Sequence, residues 1–266
     1  MTGGGVRVGL RGTADGSGPL VACFPHAGGA ASAYRNWPRL LAGADVLAVQ
    51  YPGREDRLGD PFASTLEELA DAAAGALAEA AGATGRRPVL FGHSMGASVA
   101  YETALRLRDR SCEPALLAVS GRPAPAHQAP PRLSHLDDRA FLERVAELGG
   151  LEDVLRHPEL AELVLPQLRA DYGLLEAYRP APAAPLSCPA VAALGSEDPT
   201  LTESGVADWQ TATSGAFRLL RFPGGHFYLR DAAASLTAEL LPHLPPGMPV
   251  PAAPGRSRPG GTPRRS

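Results

Sequence analysis

Lysine is absent from this chain of 266 residues: all 25 of its basic side chains are arginine. Together with the heavy use of Ala, Gly and Pro, this is a genomic composition bias rather than a functional signal. Cysteine is scarce. Cys23, Cys112 and Cys188 are odd in number, scattered, and lack C-x-x-C spacing, which argues against a disulfide framework and a zinc site. Cys23 and Cys188 lie in apolar, strand-like runs and read as small core residues. Neither charge is in large excess; a net charge of -3 gives no reason to expect a nucleic-acid partner. No apolar stretch is long enough to span a bilayer. The N-terminus lacks the charged start and apolar run of a signal peptide. The expectation is a cytoplasmic protein that needs no metal or cofactor, contacts no membrane and acts as a monomer.

What the chain does hold is enough apolar residue, 44%, for one large α/β domain. Compact apolar runs bounded by Pro or Gly predict strands over 20–24, 45–51, 88–91, 115–120, 190–194 and 217–222, with a short edge strand near 6–10. Helical spacing predicts helices over 65–81, 95–109 and 231–243. Strands alternating with helices imply a mostly parallel sheet with helices on both faces. The alternation pauses at a Pro-rich, irregular stretch over 121–136, followed by two or three short helices over 137–178 divided by Pro158 and Pro166. One of these carries an apolar face of Leu160, Leu163, Val164 and Leu168. The division expected is a flexible N-terminus over 1–17, one domain over 18–244 with a helical lid inserted at about 123–180, and a disordered Pro/Gly/Arg tail over 245–266.

The most informative residues are Gly92-His93-Ser94-Met95-Gly96, between the 88–91 strand and the 95–109 helix. Strand, sharp turn and helix in that order are what a G-x-S-x-G nucleophile elbow requires. The turn is strained, and side chains at its flanks would strike the neighbouring strand or helix, so both flanks are Gly. Ser94 at the tip would sit at a helix N-terminus, where unsatisfied N–H groups stabilise a developing oxyanion. The pattern is that of an α/β-hydrolase fold.

A serine hydroxyl needs a base, usually a His held by a carboxylate. In that fold they follow in the order Ser, acid, His, each past a strand's C-terminal end. The 190–194 strand runs into Gly195-Ser196-Glu197-Asp198-Pro199, and the 217–222 strand into Pro223-Gly224-Gly225-His226. Of seven histidines, only His226 combines a strand end with a Gly-rich turn; His26 lies in a loop near the site, and His93, inside the elbow, would point away from Ser94. Glu197 and Asp198 are both candidate acids; Asp198 is preferred because Pro199 favours a turn that fixes its side chain. One oxyanion donor is the backbone N–H of Met95. The other belongs to the loop Pro25-His26-Ala27-Gly28-Gly29, with Ala27 first and Gly28 second.

These blocks resemble type II thioesterases of polyketide and nonribosomal peptide assembly lines. The resemblance rests on Phe24-Pro25-His26-Ala27-Gly28-Gly29 with Ser32, Tyr34 and Trp37; on Gln50-Tyr51-Pro52-Gly53-Arg54-Glu55-Asp56-Arg57; and on the elbow followed by Val99-Ala100-Tyr101-Glu102. It extends through Val119-Ser120-Gly121-Arg122, Leu168-Arg169-Ala170-Asp171-Tyr172 and Phe222-Pro223-Gly224-Gly225-His226-Phe227. Ser98 departs from it, where Leu is commoner. The resemblance implies hydrolysis of acyl thioesters on the phosphopantetheine arm of carrier proteins, clearing stalled or aberrant units. Ser94 would be the nucleophile, His226 the base, Asp198 the acid, and Ala27 and Met95 the oxyanion donors, with no cofactor of the enzyme's own. Rival readings are an esterase or acyltransferase of the same fold, or a non-catalytic carrier-binding partner.

Overall fold

The apolar runs become one seven-stranded sheet. In the computed structural model, which describes residues 7–12, 16, 18–128, 132–149, 151 and 156–244, its strands are β1 (Gly9–Arg11), β2 (Leu20–Phe24), β3 (Asp45–Gln50), β4 (Pro88–His93), β5 (Leu116–Ser120), β6 (Ala190–Gly195) and β7 (Phe217–Phe222). The order is β1-β3-β2-β4-β5-β6-β7. Only β1 is antiparallel, on the β3 edge. Every residue of β2, β4, β5 and β6 is buried, as a parallel sheet covered on both faces demands. The chain steps outward from β2 to β3, then jumps back across β2 to β4. That reversal opens a crevice at the C-terminal ends of β2 and β4, where α/β sheets bind ligands.

Alternate strand residues feed two cores. Leu20, Ala22, Leu90, Leu117 and Ala192 pack with α2 (Leu66–Thr84) and α3 (Met95–Asp109), the central helices of one face. Val21, Cys23, Val89, Phe91 and Val191 pack with α1 (Trp37–Leu40) and, near the far end of the chain, a helix over Leu229–Leu240. All three cysteines are buried and unpaired. α2 starts at the N-cap Thr65, whose Oγ1 accepts the Glu68 N–H at 3.2 Å, while Glu68 Oε2 reaches back to accept the Ser64 N–H at 2.8 Å. It ends on Gly85 at φ 67°, a left-handed position suited to glycine.

The helical stretch departs from its sequence pattern. It forms α4 (Asp138–Ala146) and α5 (Pro158–Ala177). Pro166 does not divide α5, which runs unbroken for 20 residues. An interior proline costs about 3 kcal/mol through a lost N–H bond and a ring clash. Tertiary contacts on the C-terminal side of Pro166 offset this: Leu168, Leu174 and Leu175 are buried, and Asp171 is ion-paired. The expected apolar face is also incomplete. Leu168 is 3% exposed, but Leu160 is 37% and Leu163 69% exposed. Leu168 joins Leu133, Phe141, Leu142 and Val145 in a third, small core confined to this stretch. Beyond β6 lie α6 (Glu203–Ala207) and, after β7, α7 (Leu229–Leu240). The tail over 245–266 and most of the N-terminal 1–17 fall outside the described residues.

Candidate active site

β4 and α3 make the elbow. Ser94 between them has φ 55° and ψ -120°, a backbone region that non-glycine residues rarely occupy. The flanking glycines are sterically required. A Cβ on Gly92 would lie 2.1 Å from the Gly96 carbonyl oxygen, and one on Gly96 would lie 2.0 Å from that of Phe24 at the end of β2. The Ser94 N–H is tied to the Ser120 carbonyl at 2.8 Å. Met95 is fully buried, its side chain filling apolar space beneath the turn.

The loops after β6 and β7 are bound together. Ser196 N–H donates to Phe222 O at 2.8 Å and Glu197 N–H to Gly224 O at 2.9 Å. A Cβ on Gly195 would meet Gly225 O at 2.3 Å. These contacts bring the three expected side chains into one line. His226 Nε2 lies 3.0 Å from Ser94 Oγ, and Nδ1 lies 2.6 Å from Asp198 Oδ2. With the Nδ1 proton donated to Asp198, Nε2 is left to accept from the serine hydroxyl. Asp198 Oδ1 accepts the Thr200 N–H at 2.9 Å and its hydroxyl at 2.6 Å. Burial works to raise the Asp198 carboxyl, but the bonds from His226 and Thr200 outweigh it and hold the group below its usual range. Glu197 is exposed; Asp198 is the carboxylate that meets His226.

The other histidines do different work. His93 turns from Ser94 into the core, with Nδ1 3.0 Å from Ser120 Oγ, which in turn bonds the Tyr228 hydroxyl at 2.7 Å. Its ring centre lies 5.1 Å from that of His226. Burial, then the proximity of His226 and His26, pushes its pKa well below the ordinary value, so it is neutral. His26 packs edge-on to Phe227 at 4.9 Å, and burial followed by the Arg230 charge lowers it to about 4. His127 bonds Asp208 at 2.5 Å on the surface.

The loop after β2 separates the two oxyanion candidates. Gly28 N–H already donates to Asp171 Oδ2 at 2.7 Å, and Gly29 N–H to His26 O at 2.9 Å. No acceptor among the described residues takes the Ala27 N–H. Met95, the first residue of α3, has no carbonyl one turn behind it. Ala27 also walls a cavity that contains Ser94.

Residues that the motif reading left without a role hold this loop. Arg54 grips Asp171 of α5 through Nη1–Oδ2 at 2.7 Å and Nη2–Oδ1 at 2.8 Å, and Nη1 also donates to Gly29 O at 3.0 Å. The two side chains are 3% and 2% exposed. Gly28, at φ 73°, faces Leu168 so closely that a Cβ would lie 2.4 Å from its methyl carbon. Two sequence blocks far apart in the chain thus close into one bidentate pair. Their only signal in the sequence was membership of those blocks.

Two cavities meet at Ser94 and His226. One, of about 340 Å³, runs past Leu133, Tyr172, Leu175 and Leu201 to Arg122. The other, of about 210 Å³, is walled by Ala27, Val145, Val164, Leu168 and Phe227. Among the described residues, no group of His, Cys, Asp and Glu has the arrangement of a metal site, and no helix is long and apolar enough to cross a membrane.

A family profile for the thioesterase domain matches residues 19–244. The chain is 45% identical to "Thioesterase PikA5" of Streptomyces venezuelae over 235 residues, 87% of this chain and 83% of that protein. It is similar to the solved RedJ thioesterase of the prodiginine pathway in Streptomyces coelicolor, with a TM-score of 0.80 and 39% identity over 87% of each chain. The type II thioesterase BorB of the borrelidin biosynthetic cluster superposes with a TM-score of 0.80 at 36% identity, covering 92% of this chain and 100% of that one.

Proposed function

This chain belongs to the thioesterase family, and we propose that it is a cytoplasmic, monomeric type II thioesterase that releases acyl groups from phosphopantetheinyl carrier proteins of a polyketide or nonribosomal peptide assembly line. The observation that carries the reading is the hydrogen-bonded line Ser94–His226–Asp198, 3.0 and 2.6 Å between successive members, where two cavities meet.

The steps follow from those contacts. His226 Nε2 takes the Ser94 proton as Oγ attacks the thioester carbonyl carbon. The Ala27 and Met95 amides receive the negative oxygen; one such donor is worth about 3 kcal/mol of barrier. The C–S bond breaks, and the departing sulfur takes the proton from His226. Water then gives a proton to His226 and attacks the acyl-serine carbonyl; the ester C–O bond breaks, His226 returns that proton to Ser94 Oγ, and the acid is freed. Asp198 holds the imidazole in the required tautomer throughout. We assign α4 and α5 the role of a lid, since residues of both wall the cavities beside Ser94.

Charge supports a carrier protein as partner. Carrier proteins are acidic around their modified serine. A groove of about 720 Å³ that shares His26, Phe227 and Arg230 with the smaller cavity is bordered by Arg35, Arg39 and Arg230 against one carboxylate, Asp231. None of the three arginines forms an ion pair among the described residues. At the mouth of the larger cavity, by contrast, Arg144 is neutralised by Glu147 and His127 is bonded to Asp208. An acidic partner is therefore drawn to the groove rather than to that mouth.

The test is mass spectrometry of an acyl-loaded carrier incubated with wild type and with Ser94→Ala. Wild type strips the acyl group and the variant does not; equal loss with both removes Ser94 from the mechanism. Simple esters turned over far faster than the carrier thioester would favour an esterase instead.

A further inference from the structure

Arg122 stands out among the groups that wall the larger cavity. Its backbone is pinned by the Trp209 indole N–H, which donates to Arg122 O at 2.9 Å. Its guanidinium is held along one edge by neutral acceptors: Nε donates to Ser98 Oγ at 3.0 Å and Nη2 to Gln128 Oε1 at 3.2 Å, while Ser98 donates to Gln128 at 2.9 Å. Ser98 and Gln128 are buried. Nη1 has no hydrogen-bond partner among the described residues, and Arg122 has no carboxylate there. The carboxylate in this cavity's wall, Glu147, is already paired with Arg144. Burial lowers the Arg122 pKa to about 10, which leaves it charged at neutral pH.

A recessed cation without a counter-ion is costly unless something answers it. Ser98 and Arg122 are placed so that the answering group would come from the substrate. Ser98 lies in the first turn of α3, the helix that begins directly after Ser94. Arg122 lines the same 340 Å³ cavity as Ser94 and His226, so an acyl chain attached at Ser94 and lying in that cavity shares it with the guanidinium. A plain saturated chain would leave Nη1 unanswered, whereas an acceptor oxygen would meet it with a charge-assisted bond.

We propose that this cavity selects acyl chains bearing an acceptor oxygen (keto, hydroxyl or carboxylate) a few bonds beyond the thioester carbonyl, and that Arg122, oriented by Ser98 and Gln128, is the residue that reads it. The inference rests on Ser94 being the site of acyl attachment, but not on the carrier protein being the donor.

The experiment uses the full chain and small thioesters of N-acetylcysteamine, comparing 3-oxobutyryl with butyryl and succinyl with pentanoyl. The readout is the ratio of kcat/KM within each pair, followed from wild type to variant so that the intrinsic reactivity of the substrates cancels. Arg122→Met is expected to lower both ratios about tenfold. Arg122→Lys is expected to recover part of the succinyl preference, because the charge is kept and the fork is lost. Ser98→Ala is expected to lower the ratios two- to threefold by freeing the guanidinium. Ratios unchanged in Arg122→Met, or rates falling equally for both members of a pair, overturn the proposal. Should Arg122→Met not fold, Arg122→Lys and Ser98→Ala decide alone, and unchanged ratios in both overturn it. Loss of the carrier reading would appear separately, as small thioesters being hydrolysed while acyl-carrier is not.

Discussion

The loops at the strand ends and the α4–α5 stretch both wall the site, yet they are built differently. The strand-end loops are held by sterics and backbone bonds. Gly92, Gly96 and Gly195 each sit where a single added carbon would lie within 2.3 Å of a carbonyl oxygen, and the loops after β6 and β7 share two backbone hydrogen bonds. The α4–α5 stretch has a small core of its own and leaves Leu163 69% exposed. It is tied to the loop after β3 by the buried Arg54–Asp171 pair, both side chains 3% exposed or less. The positions around Ser94 and His226 are fixed by close packing, and the α4–α5 stretch is held by fewer such contacts. The Arg54–Asp171 pair bridges the two regions, because the carboxylate that anchors α5 also holds the Gly28 amide in the loop after β2.

Substitutions can break or sharpen that contrast. The largest effect belongs to Ser94→Ala: kcat for acyl release should fall on the order of 10⁴-fold or more, and adding His226→Ala should cost little further, because the two act as a unit. Single-turnover release of acyl acid measures both; a double variant far worse than either single would split the unit. Next comes Gly96→Ala. With its Cβ 2.0 Å from Phe24 O, it should destabilise the fold by about 3 kcal/mol, seen as a lowered urea midpoint; an unchanged midpoint would deny that the elbow is sterically locked.

Asp171→Asn leaves Arg54 buried without its charge partner and should cost about 3 kcal/mol. It should also lower kcat about tenfold, by loosening the Gly28 turn, with little change in KM. A loss of stability with kcat intact would separate the two regions completely. Acid comes next in size. His93 is neutral when folded because its pKa is depressed, and His26 falls to about 4. Below their ordinary value near 6.5 the unfolded chain binds protons that the folded chain does not, so stability is full above about pH 6.5 and declines as pH falls toward 4. Thermal melts across that interval measure it, and a flat Tm would contradict the assignment. The smallest effect is that of Leu163→Ser, within about 0.5 kcal/mol of wild type.

The strands, the elbow and the order Ser94, Asp198, His226 were legible because they rest on local patterns: apolar runs between Pro and Gly, and a glycine-flanked turn between strand and helix. Asp198 is preferred to Glu197 because of the Pro199 turn; in the structure Asp198 is the carboxylate that meets His226, at 2.6 Å, and Glu197 is exposed. Pro166 misleads for the opposite reason. A breaker read locally predicts an end, while Leu168, Asp171, Leu174 and Leu175 hold the helix from outside it. The apolar spacing of Leu160 and Leu163 likewise signals a helix face but not whether anything covers it.

Sequence by itself determined the α/β class, the strained Ser94 and the glycines around it, since sterics over a few residues decide these. Tertiary structure alone decided that His226 reaches Ser94 across 132 residues, that Arg54 reaches Asp171 across 117, and that the Gly28 N–H is engaged while the Ala27 N–H meets no acceptor among the described residues. Contacts between distant segments depend on how the whole sheet closes and which side chains it buries together, and no local pattern carries that information.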